Sequence, residues 1–283
     1  MAPYISNIPE AQGTSHASLA GKVVLLTGIG QSGDPKMWGN GAATARILCG
    51  NGAKVFGCDL RVERAEATRD RIRAEGGEVE VCAADVTKKA DVQNLVKRCV
   101  EKYGRIDILV NNVGMSEKGA PGDMEERVWD MQVDVNLKSV YLCCHEVIPL
   151  MEAQGGGVVV NVSSIAGMRY IGKPQVAYAA TKAAVVQFTK VSSVIYAAKG
   201  IRINVVVPGL MNTPLVAMLA DKYAGGDVEG FKKTRNNQVP TGKMGDPFDI
   251  ANAAAFLASD AANYVTGAEF IVDGAITNST GRT

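Results

Sequence analysis

Seven short apolar runs recur along the chain, and what lies between them constrains the fold more than any other feature. They are KVVLLT (22–27), KVFGC (54–58), VEVCA (79–83), IDILVN (106–111), GVVVNVS (157–163), IRINVVV (201–207) and AEFIV (268–272). KVVLLT and its fellows carry little polar alternation, as expected of strands buried on both faces of a parallel sheet. The intervening stretches have helical spacing instead. DVQNLVKRCVEKYG places Val92, Leu95, Val96, Cys99, Val100 and Tyr103 on one face, and RVERAEATRDRIRAEG is a further helical stretch. Alternating strands and helices imply right-handed crossovers. The pattern predicts an α/β fold, a doubly wound, seven-stranded parallel sheet with helices on both faces.

A chain of 283 residues with 47% hydrophobic content can bury a large core, and we read 19–283 as one domain. Residues 1–18 are polar and aperiodic, an irregular arm ahead of it. The longest departure from the alternation is 209–245, which holds helical patches at TPLVAMLADKY and DVEGFKK. It is expected to pass over the carboxyl ends of the strands, where open α/β sheets hold ligands. There Leu210, Met211, Leu215, Val216, Met218, Leu219 and Tyr223 would form an apolar lid facing Met168 and Tyr170, with Gly225-Gly226 as hinge or helix end.

Net charge is +1, which provides no field for nucleic acid or an anionic membrane and leaves a small molecule as the expected partner. No apolar run approaches the ~20 residues of a membrane span, and residues 1–18 lack the order of a secretory signal. Cys49, Cys58, Cys82, Cys99, Cys143 and Cys144 have no metal-ligand spacing, and His16 and His145 stand far apart. No metal, reduced thiols and a cytoplasmic setting are the expectation.

The first strand runs into TGIGQSGDPKMWGNGAATA (27–45). Gly28 and the Gly39-Asn40-Gly41 cluster suit a turn whose backbone approaches a pyrophosphate, with the next helix directing its free N–H groups at it. On this reading residues 29–38 enlarge the turn, and Trp38 or the tip at Ser32-Gly33-Asp34-Pro35 would reach toward cofactor or substrate. Asp59 closes the second strand, where a carboxylate accepts hydrogen bonds from ribose hydroxyls and repels a 2′-phosphate. NAD is favoured, with NADP the alternative if Arg61 or Lys36 answers that phosphate. A helix N-cap is the other reading of Asp59.

YAATK sets Tyr178 and Lys182 one helical turn apart on one face. A phenol is a poor base near neutrality, and a nearby ammonium would favour its ionised form. Upstream, VNVSSIAG ends a strand and can aim Ser163 or Ser164, but not both, at a reacting oxygen.

With the glycine turn, NNVG (111–114), the Asn of DVNLKS, SSIAG, YAATK and VVPGLMNTP all in order, the chain resembles the short-chain dehydrogenase/reductase family of single-domain Rossmann type over about 22–275. The resemblance implies Ser164 as the group polarising the substrate oxygen, Tyr178 as general acid/base, Lys182 as ribose ligand and Asn136 as holder of a relay water. It further implies that Asp59 and Leu60, Asp85 and Val86, Asn112 and Gly114, and Pro208 and Thr213 contact the cofactor. Hydride transfer between a secondary alcohol and a ketone follows, in a homotetramer packed through helices near 134–153 and 176–199. The alternatives are a catalytically silent NAD-binding sensor or scaffold, and an enoyl reductase, which spaces its tyrosine and lysine more widely.

Overall fold

The computed structural model describes residues 18–31 and 33–280, so the arm expected at 1–18 lies outside the described residues except for Ser18. All seven apolar runs are strands: β1 (Val23–Thr27), β2 (Lys54–Asp59), β3 (Glu78–Ala83), β4 (Ile108–Asn111), β5 (Gly157–Val162), β6 (Ile201–Pro208) and β7 (Glu269–Val272). They form one parallel sheet in the order β3-β2-β1-β4-β5-β6-β7. The winding therefore reverses between β1 and β4, and that reversal opens a crevice above the strand ends.

The helices are α1 (Asn40–Gly50), α2 (Val62–Ala74), α3 (Lys89–Tyr103), α4 (Glu126–Val133), α5 (Ser139–Gln154), α6 (Val176–Ala197), α7 (Leu215–Ala224), α8 (Val228–Gln238) and α9 (Pro247–Ala258). They explain why β1 is apolar without a break. Val23 and Leu25 enter a core shared with α3, α5 and α6, while Val24 and Leu26 enter the opposite core with α1, α2 and α9. Neither face of the strand meets water.

A polar ladder crosses the first of these cores. Asn111 Nδ2 donates to Asn161 Oδ1 at 2.9 Å, and Asn161 Nδ2 donates to Thr189 Oγ1 at 2.9 Å, fixing α6 against β4 and β5. At the other face, α9 starts with a capping box: Phe248 N donates to Asp246 Oδ1 at 2.9 Å and Asp246 N to Asp249 Oδ2 at 2.7 Å.

The excursion at 209–245 contains α7 and α8, where the sequence placed its helical patches. Gly225 ends α7 at φ +58 and Asp227 caps α8 by accepting from Gly230 N at 2.9 Å, so the glycine pair is a helix end. The apolar lid does not hold together as a unit. Leu210, Met211 and Val216 are buried in the cores, Leu219 and Tyr223 pack partly against one, and Leu215 and Met218 stand exposed. Helical spacing is the same whether a face packs inward or covers a cleft, and here most of it packs inward.

Candidate active site

A cavity of about 410 Å³ lies along the carboxyl ends of β1, β2, β3 and β4. Of the residues expected to bind a cofactor, Gly28, Gly39, Asn40, Gly41, Asp59, Leu60, Asp85, Val86, Asn112, Gly114 and Thr213 line it. Pro208, Tyr178 and Lys182 do not; Pro208 is buried at the end of β6, paired with Val272. Gly30, Gln31, Arg64, Met115 and Pro214 also line the cavity and were missed, and Leu215, expected in the lid, lines it too. Gly30 had a visible signal, since GIG directly follows the first strand.

Close approach explains the glycines. Gly28 adopts φ +71, and a Cβ at Gly41 would lie 2.0 Å from the Gly28 carbonyl oxygen, so α1 can start at this point only without a side chain. Asn112 Nδ2 donates to that carbonyl at 3.0 Å and to the Thr27 carbonyl at 3.3 Å, tying the end of β4 to β1. A Cβ at Gly30 would meet Asp59 Oδ2 at 2.7 Å. The other Asp59 oxygen accepts from Arg61 N at 3.0 Å, so Asp59 braces the turn into α2, whose N-cap is Arg61.

The enlarged turn folds on itself. Gln31 Oε1 accepts from Gly39 N at 2.9 Å while Gln31 Nε2 donates to the Met37 carbonyl at 2.8 Å. Trp38 does not reach the cavity. Its ring lies 3.6 Å from the Arg71 guanidinium and meets Phe248 edge-on at 6.2 Å. An exposed indole gains more by covering α2 and α9 than by standing over an open crevice, and this anchors the insertion. Of its tip, Ser32 lies outside the described residues, and Gly33 at φ +88 packs against Pro214.

The N-terminus of α1 carries no side-chain cap and no acidic residue in its first turn, so its N–H groups face the cavity unclaimed. Together with the glycine cradle and the Asp59 carboxylate, these groups fit a dinucleotide: phosphates at the helix end, ribose at the end of β2.

At the end of β5 the chain turns through Ser163 and Ser164. Ser163 Oγ donates to the Lys182 carbonyl at 2.7 Å, a structural bond, whereas Ser164 Oγ accepts from Ala166 N at 3.2 Å and stands close enough to Tyr178 to favour its ionised form. Gly167 makes this possible, because a Cβ there would sit 2.5 Å from Ala183 N and hold the serine turn away from α6. Lys182 Nζ donates to the Val162 carbonyl at 2.9 Å and lies 5.8 Å from the centre of the Tyr178 ring.

Asn136 is fully buried in a π-turn (Asp134–Lys138) between α4 and α5. Its Oδ1 accepts from Met115 N at 2.8 Å and its Nδ2 donates to the Met115 carbonyl at 2.9 Å. A Cβ on Gly114 would lie 3.0 Å from Lys182 Nζ and 3.3 Å from Asn136 Oδ1, so that glycine opens the space both side chains share. Much of Asn136's bonding capacity thus goes to the strand end at Met115.

The electrostatics depart from expectation. Burial raises the Tyr178 phenol; the Ser164 hydrogen bond and the charge of Arg235 oppose it. Burial also pushes Lys182 down to about 8, and Arg235 of α8, which the sequence did not bring to the site, is a cation that acts on Tyr178.

The sequence model of a family described as "Enoyl-(Acyl carrier protein) reductase" matches residues 36–277. The chain is 38% identical over 256 residues to the 2,5-dichloro-2,5-cyclohexadiene-1,4-diol dehydrogenase LinX of Sphingobium indicum, covering 90% of this chain and 96% of that protein. This chain belongs to the short-chain dehydrogenase/reductase family. Another relative in the family, the 3-oxoacyl-[acyl-carrier-protein] reductase FabG of Thermotoga maritima, is 35% identical over 258 residues, 91% of this chain and 98% of its own. A solved structure described as a putative short-chain dehydrogenase/reductase from Burkholderia xenovorans superposes with a TM-score of 0.88 at 46% identity, over 92% of this chain and 98% of that one. The protein is accordingly an oxidoreductase, of a family that works with a nicotinamide cofactor.

Proposed function

We propose that this protein is an NAD(H)-dependent dehydrogenase/reductase that interconverts a secondary alcohol and a ketone, with Tyr178 as general acid/base. The observation that carries the reading is the placing of Ser164, at the end of β5, beside Tyr178 on α6, one turn from Lys182, whose Nζ lies 5.8 Å from the tyrosine ring centre. Two hydroxyls converging from a strand end and a helix can share one substrate oxygen, one orienting it and the other exchanging its proton.

A nicotinamide dinucleotide supplies the hydride acceptor or donor when bound. Gly28, Gly39, Asn40 and Gly41 would hold its phosphates, Asp59 and Leu60 the adenosine ribose, and Asp85 and Val86 the adenine. Asn112, Gly114, Thr213 and Lys182 would continue the contacts toward the nicotinamide side, with Pro208 supporting them from below. In oxidation Ser164 holds the hydroxyl oxygen while Tyr178 takes its proton. Lys182 and Asn136, which meet at Gly114, lie on the route by which that proton returns to solvent. In reduction Tyr178 donates the proton back.

Tyr178→Phe should abolish turnover in both directions while NAD binding, read by calorimetry, persists; turnover retained in this variant overturns the assignment. Asp59 favours NAD, since its carboxylate stands where a 2′-phosphate would fall. Asp59→Ala is expected to weaken NAD and improve NADP, measured as the ratio of kcat/KM values. Val194 and Ile195 of α6, Tyr141 of α5 and Phe270 of β7 are apolar and exposed, which supports a homotetramer. Light scattering should give four times the chain mass, and a monomer mass counts against it.

A further inference from the structure

Beside Tyr178 lies a group of side chains whose hydrogen-bonding capacity the hydride chemistry does not use. Arg235 of α8 is 8% exposed, and its Nε and Nη1 are buried without a hydrogen-bond partner. Its guanidinium lies 5.2 Å from the centre of the Phe231 ring. Lys173, two residues before the N-cap of α6, places Nζ 4.8 Å from the same ring and 4.3 Å from that of Tyr223 on α7. The Tyr223 hydroxyl is also buried and unpartnered. The segment before α6 and the neighbouring helices α7 and α8 thus bring two cations and an idle hydroxyl together.

Among the described residues, no carboxylate pairs with either cation. Glu117, the acid that acts on Tyr223, is bound to Lys222. Arg235 interacts electrostatically with the phenols of Tyr178 and Tyr223, and Lys173 with Arg235, with no carboxylate acting on either cation among the described residues. Burial holds the guanidinium below its ordinary range and, aided by Arg235, brings Lys173 down to about 8. Two like charges on one aromatic ring, Arg235 buried and Lys173 half-buried, are destabilising unless an anion answers them. Arg235 has idle donors, and a guanidinium matches a carboxylate in bidentate geometry.

Lys173 also borders a second cavity, of about 560 Å³, reached by Ala166 and Gly167 of the serine turn and by Ala179 of α6. Lys173 thus stands at the edge of a cavity that the turn after Ser164 and the helix of Tyr178 also line, and Arg235 lies near enough to Tyr178 for its charge to act on the phenol.

We propose that the substrate is a hydroxy acid, or the corresponding keto acid, whose carboxylate is held by Arg235 with Lys173 and the Tyr223 hydroxyl while its alcohol or ketone oxygen meets Ser164 and Tyr178. This rests on the reading of Tyr178 as acid/base and narrows it from any secondary alcohol to an anionic one.

The test uses the purified full chain with NAD and matched pairs of short aliphatic and aromatic 2- and 3-hydroxy acids and their methyl esters, with the keto forms and NADH in reverse. Acids should exceed their esters in kcat/KM, and Arg235→Met should cut that ratio on the order of tenfold to a hundredfold. Arg235→Lys should keep part of it. Lys173→Met should lower it less, and serves if the Arg235 variants do not fold. Esters matching or exceeding acids throughout, or a ratio unmoved by both substitutions, overturns the proposal.

Binding separates this from failure of the underlying chemistry. In calorimetry with NAD present, the same hydroxy acids should bind the wild-type chain and Tyr178→Phe, and lose affinity in Arg235→Met. Binding of that kind without turnover supports the carboxylate site and removes the dehydrogenase reading. No hydroxy acid binding more tightly than its ester removes the carboxylate site, whatever turnover shows.

Discussion

Few residues of this protein are as tightly specified as Gly41. Its Cβ-less backbone is what lets α1 begin against the end of β1, and the atom opposing any side chain is a backbone oxygen that cannot swing away. Gly41→Ala should therefore destabilise the chain by about 1–3 kcal/mol or more and abolish dinucleotide binding, checked by denaturant melts and cofactor titration. Tyr178 is specified by balance rather than by space. Burial raises its phenol, and the Ser164 hydrogen bond is the larger of the two opposing effects. Removing that bond in Ser164→Ala raises the phenol further, so alcohol oxidation, which needs the ionised form, should move to higher pH. A kcat/KM profile unchanged in position would show that Ser164 does not tune the tyrosine. Both residues were legible in the sequence, because GNG and YAATK are local patterns.

Single elements show where local patterns stop informing. The enlarged turn at 29–38 was visible as an insertion, but its anchoring was not: Trp38 meets Arg71 from α2 and Phe248 from α9, neither near it in sequence. Trp38→Ala should cost about 1–3 kcal/mol and speed hydrogen exchange at Gly39, whose amide is held by Gln31; slow exchange there would mean Gln31 suffices alone. The helix α8 is the opposite case. VEGFKKTRNNQ reads as a polar surface helix, yet it buries Phe231 and Arg235. Nothing in its spacing distinguishes the arginine that turns inward from the lysines that remain outside.

On the scale of the whole molecule, the six cysteines are all free and buried. Burial pushes Cys49, Cys99 and Cys144 up to about 12 from 9.0, and Cys58 and Cys143 further. A group raised on folding stabilises the native state fully below its unfolded value, and that contribution is lost as pH rises toward the folded value. Stability should thus fall between about pH 9 and 12, where an unfolded chain releases thiol protons and the folded one keeps them. Denaturant melts across that range check the sign, and thiol reagents should label the native protein slowly and the unfolded one at once. A flat alkaline profile would show that the thiols reach solvent.

The sequence by itself determined the seven strands, the helices between them, the glycine turn and the Tyr178–Lys182 pair. Each depends on a period or spacing within one segment, and a sheet covered on both faces leaves its strands plainly apolar. Tertiary structure alone decided that Trp38 turns away from the crevice, that the apolar lid mostly joins the cores, and that Arg235 comes near Tyr178. Those outcomes depend on which distant surfaces meet and how much water they exclude. Burial sets both the strength of a charge and the cost of leaving it unpaired, and burial belongs to the assembled fold.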